Sequence, residues 1–88
     1  MTDALPHLDF ATFVLSLSHS AMVHLGEAPN PEDETTRVSL TLAKQTIDLL
    51  GLLEEKTKGN LTGEEERLIT QILFDLRLRF VEKSKSNA

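Results

Sequence analysis

The side chains best suited to metal ligation or proton transfer are three histidines, His7, His19 and His24, in a chain of 88 residues with no cysteine. Imidazole is the commonest neutral metal ligand and titrates near neutral pH. Two ligands on one helix face need a spacing of three or four residues. His19 and His24 are five apart, which puts them about 140° around a helix that turns about 100° per residue. They do not converge within one chain, and His19 could meet its own copy only at a subunit axis. Ser16, Ser18 and Ser20 flank His19. Serine hydrolysis needs a base in hydrogen-bond reach, an orienting acid and an oxyanion hole. Mid-helix hydroxyls more often bond back to a preceding carbonyl. Glu64, Glu65 and Glu66 are consecutive, so they point three ways and suit a helix N-terminus better than acid–base pairing. Asn60-Leu61-Thr62 matches a glycosylation acceptor. The opening MTDALPHLDF lacks the basic-then-apolar order of a secretory signal, so the acceptor is expected to be idle. No glycine-rich phosphate loop is present. These residues give no catalytic, cofactor-binding or metal-ligating assignment, and no enzyme is expected.

The elements that carry these residues explain them better. Asp9 to Gly26, DFATFVLSLSHSAMVHLG, contains no Lys, Arg or Glu. Asp9 suits a helix N-cap and Gly26 the left-handed residue past a helix end, which predicts helix 1 over 10–25. Nine apolar residues (Phe10, Ala11, Phe13, Val14, Leu15, Leu17, Ala21, Met22 and Leu25) fill an arc of about 200°, roughly twice the minimum stripe of a surface helix. Such a helix wants protein on more than one side. Val14 and Leu17 are expected among its most buried residues. At 16 positions, six of them Thr, Ser or His, it is too short and too polar to span a bilayer.

Residues 1–8 read as a flexible lead-in. Glu27 to Thr36, EAPNPEDETT, reads as a mobile acidic linker with two prolines and four carboxylates. Helix 2 is predicted over 40–58, with Leu42, Ala43, Ile47, Leu49, Leu50 and Leu53 sharing an inward arc of about 160°, Thr46 and Thr57 bonding back to carbonyls, and Gly51 facing solvent. Gly59 stops it. Thr62-Gly63-Glu64-Glu65 is a capping box that starts helix 3 over 63–83. The tight connection makes helices 2 and 3 an antiparallel hairpin. Residues 84–88 read as a frayed tail. The fold class is therefore all-α: one three-helix domain over 9–83, completed by oligomerisation, since a chain this short has a modest core.

Charge is uneven along the chain. The net charge is −5, which argues against nucleic acid, because that partner demands a basic face. Residues 67–88 hold five basic groups and two acidic ones. Dipole complementarity at the end of helix 3 accounts for much of this.

The runs from Asp9 to Glu27, Leu42-Ala43-Lys44-Gln45-Thr46-Ile47-Asp48-Leu49-Leu50 and Leu53-Glu54-Glu55-Lys56-Thr57-Lys58-Gly59-Asn60-Leu61-Thr62 resemble a bacterial family of small proteins, the domain of unknown function 1844. The resemblance covers about Asp9 to Val81. Relatives often have a proline before the leucine of the Leu-Ala-Lys run, where this chain has Thr41. The family carries no established activity, so no functional residue transfers from it. The resemblance implies a small, mostly helical, cytoplasmic bacterial protein.

The functional expectation comes from surplus apolar surface. On helix 3, Leu68, Ile69, Ile72, Leu73, Leu76 and Phe80 form the main arc. Phe74, Leu78 and Val81, spaced i, i+4, i+7, form a second stripe on another side. Left exposed, such a patch marks an interaction surface; the alternative is a helix 3 wedged between helices 1 and 2, which would bury both stripes inside the chain. The expected seam is Phe74, Leu78 and Val81 with Phe13 and Leu17 of helix 1. It would join a homodimer, with stacking to a tetramer as the next closed form, and an unidentified protein is expected as partner. The rival reading is a small enzyme or a ligand- or metal-binding protein whose site forms between subunits near His19 and His24.

Overall fold

The computed structural model describes residues 9–32 and 35–86. The expectations for the lead-in 1–8, including His7, and for Asp33, Glu34, Asn87 and Ala88 lie outside these residues. Three helices follow in order: α1 Phe10–His24, α2 Leu40–Lys56 and α3 Gly63–Ser86. No strand occurs among the described residues.

Each helix begins where a side chain satisfies free backbone N–H groups. The Asp9 carboxylate accepts from the Thr12 N–H at 2.8 Å, and the Ser39 hydroxyl accepts from the Leu42 N–H at 3.3 Å. At α3 the capping box closes in both directions: the Glu65 N–H donates to the Thr62 hydroxyl at 3.1 Å, and the Thr62 N–H donates to the Glu65 carboxylate at 2.9 Å. Helix α1 stops in a paired hydrogen-bond turn. Gly26, at φ +77°, donates to the Val23 carbonyl, and Glu27 donates to Met22, the two bonds of a Schellman motif. The Thr46 and Thr57 hydroxyls bond back to the Leu42 and Leu53 carbonyls at 3.0 and 2.7 Å. Helix α2 ends at Lys56, two residues short of expectation, because Thr57 takes the cap and Gly59 turns left-handed only afterwards. Helix α3 runs on through the tail to Ser86, whose hydroxyl donates to the Glu82 carbonyl.

The core takes three residues from each segment: Val14, Ala21 and Leu25; Ala43, Ile47 and Leu50; Ile69, Leu73 and Leu76. Within α2 and α3 these sit at i, i+4, i+7, the spacing of one helical face. The Thr70 hydroxyl donates to the Glu54 carboxylate at 3.1 Å, and Arg77 lies over Gly51. These pairings are the register of the expected antiparallel hairpin. They also correct one expectation: Gly51 is half-buried beneath the Arg77 guanidinium and does not simply face solvent. A second correction concerns Leu17. It is only half-buried, beside the fully buried Val14, because it points to the outer edge of the α1–α2 contact. The Cα trace is a slab of 44 × 35 × 16 Å, which is too thin to bury a second face on any helix.

The loop between α1 and α2 is tied at both ends. The Ser39 N–H donates to the His24 carbonyl at 2.7 Å, and the Asn30 N–H donates to the Thr35 carbonyl at 2.7 Å. Glu27, the first residue of the expected linker, is pinned to α3. Its carboxylate meets Arg79 at 3.0 Å and Lys83 at 3.1 Å.

Candidate functional site

The five residues expected at a seam fall on two surfaces. Phe74, Leu78 and Val81 lie along the outer side of α3 and are 71, 50 and 49% exposed. For a phenylalanine and two branched aliphatics on a well-formed helix this is a large exposure, and the three form one contiguous line. Among the described residues nothing wedges against them, so the stripe is not absorbed into their core. Phe13 and Leu17 lie elsewhere. With Leu49, Leu52, Leu53 and the stem of Lys56 they line an apolar groove of about 180 Å³ between α1 and α2. No α3 residue lines that groove.

Leu49 and Leu52 are 48 and 49% exposed, and Leu42 is 44% exposed. This corrects the inward placement expected of Leu42 and Leu49; Leu52 is expected on neither side. Leu42 and Leu49 share an arc with the core residues of α2, and hydropathy spacing cannot say where the core side of an arc stops. The edge of the arc, about 80–100° from Leu50, emerges beside α1. Leu52 sits further round, and its apolar type on an otherwise charged side was the available signal.

The basic groups of α3 divide into two sets. Arg79 and Lys83 face α1 and are engaged: Arg79 meets Asp75 at 2.8 Å and Glu27 at 3.0 Å, and Lys83 meets Glu27 at 3.1 Å. The Lys83 hydrogen bond, helped by the charges of Lys83 and Arg79, holds the Glu27 carboxyl below the usual glutamate range against the opposing pull of partial burial. The Arg79 guanidinium is in turn held above its ordinary value, chiefly by Asp75 and then by Glu27. Arg67, Arg77 and Lys85 form the second set, on the side of the Phe74 stripe. Among the described residues they make no ion pair within the chain.

The histidines sit apart from both surfaces. His19 is exposed and His24 half-buried. Both border a cleft of about 280 Å³ with Ser20, Val23, Asn30, Pro31 and Glu32. Among the described residues no three histidine or carboxylate side chains group as metal ligands. Among the same residues, no helix is long and apolar enough to cross a membrane.

Neither the curated proteins nor the solved structures contain a match to this chain. A family model does match, over residues 7–82: the chain belongs to the family described as domain of unknown function 1844.

Proposed function

We propose that the protein is a non-enzymatic helical interaction module that works as a homo-oligomer. The observation that carries this reading is the exposed line of Phe74, Leu78 and Val81 on α3. A contiguous apolar patch on a small chain marks an association surface, because leaving it in water forgoes about 25 cal/mol per Å² of apolar area. A twofold dimer is the commonest closed assembly. The apolar groove between α1 and α2 stays open in such a dimer and gives it a second surface, for stacking to a tetramer or for another protein.

Size-exclusion chromatography with in-line light scattering tests the reading. Wild type at tens of micromolar should run as a dimer or larger, and Leu78→Glu should run as a folded monomer. A wild-type monomer at that concentration would end the proposal. A Leu78→Glu variant that stays dimeric and folded would keep the oligomer but move its seam away from α3.

A further inference from the structure

We infer that the occupant of the α3 stripe is the α3 stripe of a second copy, running parallel to it as a short two-stranded coiled coil. This inference rests on the homo-oligomer proposed above and adds the orientation of the seam.

The argument is one of register and charge. Written as a heptad, the outer side of α3 places Gln71, Leu78 and Lys85 at a, and Arg67, Phe74 and Val81 at d. The buried Ile69, Leu73 and Leu76 then fall at f, c and f, so the side turned to the chain's own core and the side offered to a partner do not compete. The residues beside the seam are Thr70 and Arg77 at g, and Asp75 and Glu82 at e. The cation therefore flanks one edge of the stripe and the two carboxylates flank the other.

Flanking charges decide orientation in such pairs. In an antiparallel pair, g meets g and e meets e across the seam. That would set Arg77 against the other copy's Arg77, and Glu82 against its Asp75. The first contact is between two cations; the second is between carboxylates, of which Asp75 is already paired with Arg79 of its own chain, so Arg77 weighs most. The ends of the seam do not discriminate, because Arg67 and Lys85 meet cations in either orientation. In a parallel pair, g meets the e residue five positions further along the other strand. Arg77 then meets Glu82 of the second copy, twice by symmetry. Neither side chain has an ion-pair partner within its own chain among the described residues. Arg77 rests over Gly51, 3.0 Å from where a Cβ would stand, and among the described residues no hydrogen bond holds it. It can swing to a partner without breaking a bond. Complementary rim charges of this kind select partner and register more than they add raw affinity.

The absence of cysteine allows a direct test. Gln71 and Lys85 are both exposed, so Gln71→Cys and Lys85→Cys can each be introduced without disturbing the core. In a parallel pair each variant, alone and mildly oxidised, should give a disulfide-linked dimer, because a residue at a faces its own copy. If neither links to itself and Gln71→Cys links instead to a Val81→Cys copy, a faces d and the pair is antiparallel. If no combination links while wild type scatters as a dimer, α3 is not the seam. Either result overturns the inference and leaves the homo-oligomer standing, whereas a wild-type monomer removes both. Charge exchange supplies an independent readout by sedimentation. Arg77→Glu and Glu82→Arg should each weaken the dimer by roughly tenfold or more, since both make two like-charge contacts, and the double exchange should restore it. Single variants that dimerise as tightly as wild type would also refute the parallel pairing.

Discussion

Gly26 and Gly59 both hold a left-handed backbone, at φ +77° and +87°, yet they are not equivalent. A Cβ at Gly26 would stand 2.7 Å from the Val38 side chain, whereas a Cβ at Gly59 meets nothing within 4 Å. Gly59→Ala should therefore cost only the left-handed strain, about 1–2 kcal/mol. Gly26→Ala should cost that and a further displacement of Val38, for a total of about 2–3 kcal/mol. Urea titration of the two variants gives the comparison, and equal losses would show that Val38 yields freely. Gly51 is the opposite case. It lies in the interior of α2, where alanine is favoured by about 0.8–1 kcal/mol. The atom in its way is the end of the exposed, flexible Arg77 side chain. Gly51→Ala should raise stability by about 0.5 kcal/mol or more, and a loss would mean that Arg77 is held more firmly than its missing hydrogen bonds imply.

At the scale of the elements, two local devices set where α3 begins and how the first loop meets it. The reciprocal Thr62–Glu65 pair satisfies two backbone N–H groups at the start of a 24-residue helix. Thr62→Ala should cost about 1 kcal/mol, seen as a lower urea midpoint with an unchanged slope. Glu27 is the second device. Its carboxyl titrates below the ordinary glutamate range because Lys83 and Arg79 favour its charged form. A lowered folded-state pKa adds stability at pH values above the unfolded glutamate range, near about 4.3. That stability is lost as pH falls through the lower folded value. Wild type should therefore exceed Glu27→Gln by no more than about 1 kcal/mol at pH 7, and the gap should close in acid below the glutamate range. A gap that persists unchanged in strong acid would assign the effect to packing of the loop. The same contacts explain the basic end of α3: Arg79 and Lys83 serve the chain's own loop, and only Arg67, Arg77 and Lys85 remain for a partner.

For the whole molecule, the slab geometry divides the apolar residues into a thin core and two outward surfaces. Leu50 is fully buried, and Leu50→Ala should cost about 2–5 kcal/mol. Leu17 is half-buried at the rim of the α1–α2 groove. Leu17→Ala should cost clearly less than Leu50→Ala in the monomer, because part of its side chain is already in water and little cavity is left behind. If calorimetry gives the two variants equal losses, another chain covers Leu17 in solution and the groove is itself an interface. Leu78→Glu should leave the melting temperature of the monomer nearly unchanged, since surface substitutions stay within about ±0.5 kcal/mol.

Sequence alone determined the helices, their caps and most of the core, because those depend on contacts within three or four residues. Asp9, the Thr62–Glu65 box and Gly26 each act on backbone groups a turn away, and the i, i+4, i+7 spacing of Ala43, Ile47 and Leu50 is a property of one helix. The two triplets on α3 show where that reasoning ends. Ile69, Leu73 and Leu76 have the same spacing as Phe74, Leu78 and Val81, yet one set is buried and the other open. Periodicity places both on faces, and the wider apolar arc around the first set marks it as the core side; the positions of α1 and α2 decide that the second is left uncovered. Tertiary structure likewise decided that Phe13 and Leu17 belong to a groove with Leu49 and Leu52, apart from the α3 stripe. It also decided that Glu27 reaches Arg79 and Lys83, because an ion pair across more than fifty residues has no local signature. It fixed the depth of Leu17 as well. An apolar arc of about 200° on α1 exceeds what two neighbouring helices can cover, and the slab leaves its edges to solvent or to another chain.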